Sequence, residues 1–248
     1  MDDRTERARA GPGDERSLLW RVAEALVRPA FGLAFDLRFS GLERIPEPGC
    51  PALLAANHVS VLDPLAIALG VVRRRRMVRF LAAVEFFHHP VWGPPLRLMG
   101  QIPVRRGARD LRALEEVMAF VRQGGLAGIF PEGRVADGEF PLRGRPGVAR
   151  VALAARVPVV PVGVWGTQAR WPRAGLRWRP LRRLALAVAV GEPIDPEASG
   201  SAEAAPERAA PDQEAVLALT RRIMEAIEEQ VRLAQRLVAG ADRGSPGR

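Results

Sequence analysis

Apolar positions along the chain follow two rhythms, and the switches between them outline the elements. Leu18, Leu19, Val22, Ala23 and Leu26 recur at helical spacing while Arg21, Glu24 and Arg28 fall on the other side. This predicts an amphipathic helix that Pro29 should kink or end. A second apolar piece follows with Phe31, Leu33, Phe35, Leu37 and Phe39, and the alternation from Asp36 to Glu43 predicts a first strand. Pro46, Pro48 and Gly49 then turn the chain into the apolar run 51–56, which suits a buried strand. Asp63 as cap with Pro64 at the first helical position predicts a helix over 65–69. Further strands are expected at 78–84, 100–106 and 126–130, with a helix between the last two whose face is Leu111, Leu114, Met118 and Val121 and whose end is Gly124-Gly125. An Ala- and Val-rich helix over 148–155 precedes the longest β-branched run, 158–165, which should be a central strand, interrupted by prolines that imply an edge or a bulge near Pro161. Residues 184–190 read as the last strand, and Val216, Leu219, Ile223, Ile227 and Val231 share one side of a helix over 212–239.

Strands alternating with helices predict an α/β fold: a mixed, largely parallel central sheet flanked by helices, with an N-terminal amphipathic helical segment. The composition shifts divide the chain into a disordered tail at 1–16, an amphipathic membrane-associating segment at 17–35, an α/β domain at 36–195, a linker at 196–211, a helix at 212–239 and a second disordered tail at 240–248. The tail at 1–16 has no apolar h-region and does not read as a secretory signal. Charges within 17–39 argue against a full membrane span. Two readings of that segment stand side by side: a helix lying in the bilayer interface with Trp20 and the phenylalanines inserted, or a helix packed on the domain's own core.

Charge changes this picture. The 248 residues carry a formal net charge of +9, and none of the 37 lysines and arginines is a lysine. A basic balance favours anionic partners such as phosphorylated substrates or lipid headgroups. Nucleic acid is not expected, because the run Arg73 to Arg76 has no aromatic residues interleaved. That run reads as a solvated surface or as a face toward headgroups. The segment 169–183, with its tryptophans and arginines, reads as a surface loop over a substrate or a membrane. Cys50 is the only cysteine, which excludes an internal disulfide framework and a cysteine-rich metal site. His88 and His89 are adjacent and diverge in regular structure, so no metal site is assigned.

The chemistry centres on Asn57-His58-Val59-Ser60-Val61-Leu62-Asp63, at the junction of a buried strand and a helix. Five residues along a regular helix turn about 500°, so His58 and Asp63 cannot be neighbours on one helix. The intervening turn must fold the carboxylate back. If it does, Asp63 would set the imidazole tautomer and leave the other ring nitrogen as a general base. Arg106, at the end of the 100–106 strand, and the Glu132-Gly133-Arg134 turn are further candidates, since glycine lets amides approach an anion and arginine offers a bidentate fork for phosphate.

Four pieces in order give these signals specificity. N-H-x-x-x-x-D is met by Asn57, His58 and Asp63; G-x-I-x-x-x-R by Gly100, Ile102 and Arg106; F-P-E-G by Phe130, Pro131, Glu132 and Gly133; and a V-P-V-like strand by 157–162. Over about 18–193 the chain resembles the lysophospholipid acyltransferase family, bacterial 1-acyl-glycerol-3-phosphate acyltransferases in particular. Arg134 follows Gly133 directly, without the family's threonine, and Arg145 stands where many relatives carry a basic residue.

The resemblance implies transfer of a fatty acyl group from acyl-CoA or acyl carrier protein to the hydroxyl of a 1-acyl-glycerol-3-phosphate. His58 and Asp63 would be catalytic, and Asn57, Arg106, Glu132, Gly133, Arg134 and Arg145 would bind substrate. It implies no cofactor and no metal, the acyl donor being a co-substrate. It implies a peripheral or monotopic protein on the cytoplasmic face of the membrane, with the phospholipid surface, the lysophospholipid acceptor and the donor as partners. A thioester is already activated, so neither Ser60 nor Cys50 is needed as a nucleophile, and no G-x-S-x-G elbow is present. The same chemistry on a lyso-ornithine lipid or a glycolipid is an alternative, and a non-catalytic basic module binding anionic lipid or nucleic acid is a distant one.

Overall fold

A computed structural model of the chain describes residues 18–105, 110–136, 143–172, 175, 183–197 and 212–243. The elements run α1 (Leu18–Ala34), β1 (Phe35–Ser40), β2 (Ala52–Ala56), α2 (Asp63–Val71), β3 (Arg79–Ala83), α3 (Val84–His88), α4 (Gly93–Leu98), β4 (Ile102–Val104), α5 (Leu111–Arg122), β5 (Leu126–Ile129), α6 (Gly147–Ala155), β6 (Val159–Trp165), β7 (Leu184–Val190) and α7 (Gln213–Arg243). The strands form one seven-stranded sheet in the order β1-β7-β6-β2-β5-β3-β4. Every neighbouring pair is parallel except β6 with β7.

Helices cover both faces, so the central strands are apolar on both sides; all five residues of β2 are buried. One face packs on α5, α6 and α7 through Val117, Val148, Ile223 and Ile227. The other packs on α1 and α2 through Phe31, Ile67 and Val71. Gly163 lets α7 lie against β6, because a Cβ there would sit 2.2 Å from the Gln230 carbonyl carbon.

The strand holding Pro161 is central, and of the two expectations for its proline the bulge is the one met. The Pro161 carbonyl accepts from the Gly191 amide at 2.8 Å, while Val159 pairs with Ile194 in both directions at 2.9 and 2.7 Å, so residues 192 and 193 together oppose Val160. Several details depart from expectation for identifiable reasons. Helix α1 passes through Pro29 instead of stopping there. Asp63 is the first residue of α2, with Leu62 at the cap, and the helix runs on to Val71. Helix α7 continues past Ala239 to Arg243. Trp20, Phe31 and Phe35 are buried, so they do not insert into lipid, while Val22, Leu26 and Leu33 of α1 remain exposed.

The arginine run divides. Arg73 lies over the Phe39 ring with its guanidinium 4.5 Å from the centroid, and Arg74 pairs with Glu47. Arg76 is fully buried and donates to the carbonyls of Pro46, Cys50 and Gly124 at 3.0, 2.8 and 3.0 Å. Those carbonyls belong to the turns that lead into β2 and β5. Arg76 therefore holds the N-terminal edge of the sheet together, and the surface reading of the run fails at that residue.

Because β6, β2, β5, β3 and β4 run parallel, their C-terminal ends emerge along a single edge. Strand β1 runs the opposite way and begins at that edge, where α1 arrives. In open sheets of this kind ligands bind outside the carboxyl ends of the strands.

Candidate active site

Three adjacent strands deliver the site residues to this edge. Strand β2 ends at Ala56 and passes into Asn57 and His58; β5 ends at Ile129 and passes into Phe130, Pro131 and Glu132; β6 ends at Trp165 and passes into Gly166 and Thr167. Asn57 is buried and prolongs the sheet by side chain: its Nδ2 donates to the Val164 carbonyl at 2.9 Å and its Oδ1 accepts from the Val164 amide at 2.7 Å. This pins the strand end so that His58 leaves it at a defined point.

The five-residue spacing between His58 and Asp63 is reconciled by a turn built on the aspartate itself. Asp63 Oδ2 accepts from the backbone N–H groups of Val59 and Ser60, both at 2.7 Å, and lies 3.0 Å from His58 Nδ1. Asp63 Oδ1 accepts from the Thr167 hydroxyl at 2.5 Å. An oxygen already receiving two amide protons has none to give, so Nδ1 of His58 carries the hydrogen and Nε2 is the acceptor. The Asp63 side chain is 0% exposed and that of His58 17%, so the pair is anchored in the protein and open only at the imidazole. Phe130 stacks on the His58 ring with centroids 4.1 Å apart and planes 18° off parallel, and Phe80 stacks on Phe130 in turn. With one edge held by Asp63 and one face held by Phe130, the ring has little rotational freedom.

Ser60 is fully buried; its hydroxyl donates to the Trp171 carbonyl at 2.6 Å and accepts from the Leu62 amide at 3.1 Å. A hydroxyl committed in both directions and closed to solvent is a brace for the turn. Cys50 precedes β2 at the opposite end of that strand.

Glu132 is buried, and its Oε1 accepts from the His58 backbone amide at 2.9 Å. Burial pushes its carboxyl above the ordinary value of 4.5, and the charge of Asp63 adds to the push; the His58 amide and the charge of Arg134 pull partly the other way. The folded chain thus holds this proton to higher pH than the unfolded chain. The resulting stability is fully present below 4.5 and is lost as pH rises through the folded value, because in that window the native state binds more protons. A Glu132→Gln variant keeps an acceptor for the amide and removes the titration. In urea titrations its midpoint should gain on the wild type as pH climbs from 4 toward 7, and parallel curves would show that the carboxyl titrates as an ordinary one.

Gly133 takes φ +67, which the turn requires and which favours glycine, and the Arg145 side chain lies across it, with Nε 3.2 Å from where a Cβ would stand. The Arg145 amide donates to the Pro131 carbonyl at 2.8 Å, which ties the start of α6 to the 130–133 turn. Arg134 and Arg145 are both exposed at the site edge. Arg106 lies outside the described residues. Its neighbour Arg105 donates its amide to Asp110 Oδ2 at 2.9 Å, and that amide, followed by that of Ala113, holds the Asp110 carboxyl below its usual value.

The structure thus brings His58, Asp63, Asn57, Glu132, Gly133, Arg134 and Arg145 to one edge. It adds Thr167, which the motif analysis missed. The one signal for Thr167 was its position just past the end of a predicted central strand.

A family model described as Acyltransferase matches residues 36–165. The chain is 32% identical over 132 residues to a chloroplastic 1-acyl-sn-glycerol-3-phosphate acyltransferase of Brassica napus, covering 51% of this chain and 36% of that protein. It is 34% identical over 128 residues to a probable 1-acyl-sn-glycerol-3-phosphate acyltransferase of Mycoplasma genitalium, covering 48% and 46% respectively. The chain therefore matches less than half the length of these curated relatives. Its fold is similar to the crystal structure of the 1-acyl-sn-glycerophosphate acyltransferase of Thermotoga maritima, with a TM-score of 0.61, 26% identity and coverage of 84% of this chain and 79% of that one.

Proposed function

The chain belongs to the acyltransferase family, and from that premise we propose that it moves a fatty acyl group from a thioester donor, acyl-CoA or acyl carrier protein, to the free hydroxyl of a 1-acyl-glycerol-3-phosphate. The observation that carries this reading is the His58–Asp63 pair at 3.0 Å, with both Asp63 oxygens filled by donors and Nε2 left as the free base. Nε2 takes the proton of the acceptor hydroxyl as its oxygen attacks the thioester carbonyl carbon. The tetrahedral intermediate then collapses, the C–S bond breaks, and the imidazolium returns the proton to the thiolate. The products are an ester and a free thiol, with no bond to the protein at any stage.

Asp63 stabilises the transient imidazolium, while Phe130 and Glu132 hold the ring and the backbone of His58. Arg134 and Arg145 are exposed beside the 130–133 turn, and two guanidinium groups there fit bidentate recognition of a phosphomonoester. Arg106 is assigned the same role through its motif position alone. Asn57 acts through the strand end that it fixes. Among the described residues no helix is long and apolar enough to cross a membrane. The exposed Val22, Leu26 and Leu33 of α1 recur at helical spacing and supply an apolar stripe for resting on the cytoplasmic face of a bilayer, where such an acceptor resides.

The test is a panel of lysolipid acceptors, lysophosphatidate and a lyso-ornithine lipid among them, each given one labelled acyl-CoA. Thiol release should depend on lysophosphatidate, and the lipid product should gain the mass of one acyl group. Release that no acceptor stimulates would sink the reading.

A further inference from the structure

The large apolar side chains that the fold leaves exposed are unevenly distributed. Phe86, Val91, Trp92 and Leu98 all fall in the segment 84–98, which forms α3, a turn and α4 and takes no part in the chemistry above. Helix α3 starts where β3 ends, so the segment leaves from the edge that bears His58 before it crosses over to β4, which runs parallel to β3.

Its turn is built to hold these side chains outward. His89 Nδ1 accepts from the amides of Val91 and Trp92 at 3.2 and 3.4 Å, and the Gly93 amide donates to the His89 carbonyl at 2.8 Å. Gly93 fits under the Phe87 carbonyl, where a Cβ would come within 2.3 Å of the oxygen, and Arg97 donates to that same carbonyl. Phe87 is buried and anchors the hairpin. Val91 and Trp92, 65% and 46% exposed, are therefore presented by a braced turn.

Charge identifies what meets them. Arg105, Arg112, Arg134 and Arg145 are exposed along this same edge. Of the acidic groups on those elements, Glu132 is buried and Asp110 accepts from two backbone amides, while Glu85, Glu115 and Glu116 are exposed against the four arginines. Arginine beside projecting tryptophan and aliphatic side chains matches an anionic phospholipid surface, with guanidinium groups at the phosphates and the indole at the headgroup boundary.

We propose that the 84–98 hairpin is a bilayer-docking element, separate from α1, that seats the His58 edge against a membrane containing anionic phospholipid. It rests on the lipid-acceptor reading, which makes that edge the one a lipid must enter. The probe is the full chain in flotation with vesicles of phosphatidylcholine, with and without phosphatidylglycerol, comparing wild type with a Val91→Ser, Trp92→Ser double variant. Both positions are exposed, so circular dichroism and the urea midpoint should be unchanged. Vesicle affinity should fall about tenfold. Transfer to an acceptor in vesicles should fall with it, while transfer to a short-chain acceptor dispersed as monomers should not.

Equal vesicle binding by the two proteins would overturn the proposal. So would a wild type that ignores vesicles but is a dimer which the double variant dissociates, since the patch would then face a second copy. Vesicle binding that depends on Val91 and Trp92 in a protein that transfers no acyl group to any acceptor would uphold the hairpin's role and overturn the enzymatic reading instead.

Discussion

An Asp63→Ala variant should lose about 3 to 5 kcal/mol of stability together with its activity. Asp63 is fully buried and accepts four hydrogen bonds, from the amides of Val59 and Ser60, the Thr167 hydroxyl and the His58 ring. Alanine leaves the first three donors orphaned in a closed space, at about 1–3 kcal/mol each with some relief from relaxation. Against a total stability of about 5–15 kcal/mol, this is enough to leave a fraction of the protein unfolded at physiological temperature. The remaining folded molecules lack the group that sets the tautomer, so transfer should fall about 10²–10⁴-fold. Urea denaturation beside turnover reads both effects. A midpoint within error of wild type would show that the 58–63 turn holds itself without the carboxylate.

His58→Ala should separate the two effects. The imidazole is partly open to solvent, and removing it leaves Val59, Ser60 and Thr167 still bound to Asp63. The loss is the Phe130 stack and one hydrogen bond, about 1–2 kcal/mol. Transfer should nonetheless fall about 10²–10⁴-fold, because among the described residues His58 is the base placed to take the hydroxyl proton. Ser60 is buried and committed to Trp171 and Leu62, and the Glu132 oxygen that binds the His58 amide lies on the backbone side of the residue. A His58→Ala protein that folds and keeps turnover within tenfold of wild type would remove histidine from the chemistry.

The contrast between these variants shows where the sequence was informative. The placement of His58 was legible, because an apolar run of strand length ended at it and a helix start followed. The double duty of Asp63 was not legible. Spacing showed only that a regular helix could not join the two residues, and the answer lay in two backbone amides, which carry no side-chain signature. Thr167 was invisible for a different reason: it is 104 residues from Asp63 and becomes its neighbour only because β6 pairs with β2. Arg76 shows the same limit in the opposite direction. Within a run of identical residues, composition predicted one environment, yet the chain buries one member under three carbonyls and leaves Arg73 and Arg75 exposed.

By itself, the sequence determined what local periodicity and short-range chemistry can carry: the alternation of strands and helices, the buried character of β2 and β6, the amphipathic N-terminal helix, and the strand ends that bear a histidine and a glutamate. Tertiary structure alone decided the order of the strands, and with it which strand ends adjoin. It also decided which face of α1 meets the core and which stays open, since hydrophobicity says that a side chain prefers burial but not which of two apolar faces will find it. Both decisions depend on pairings between segments far apart in the chain, whose energies no local pattern records.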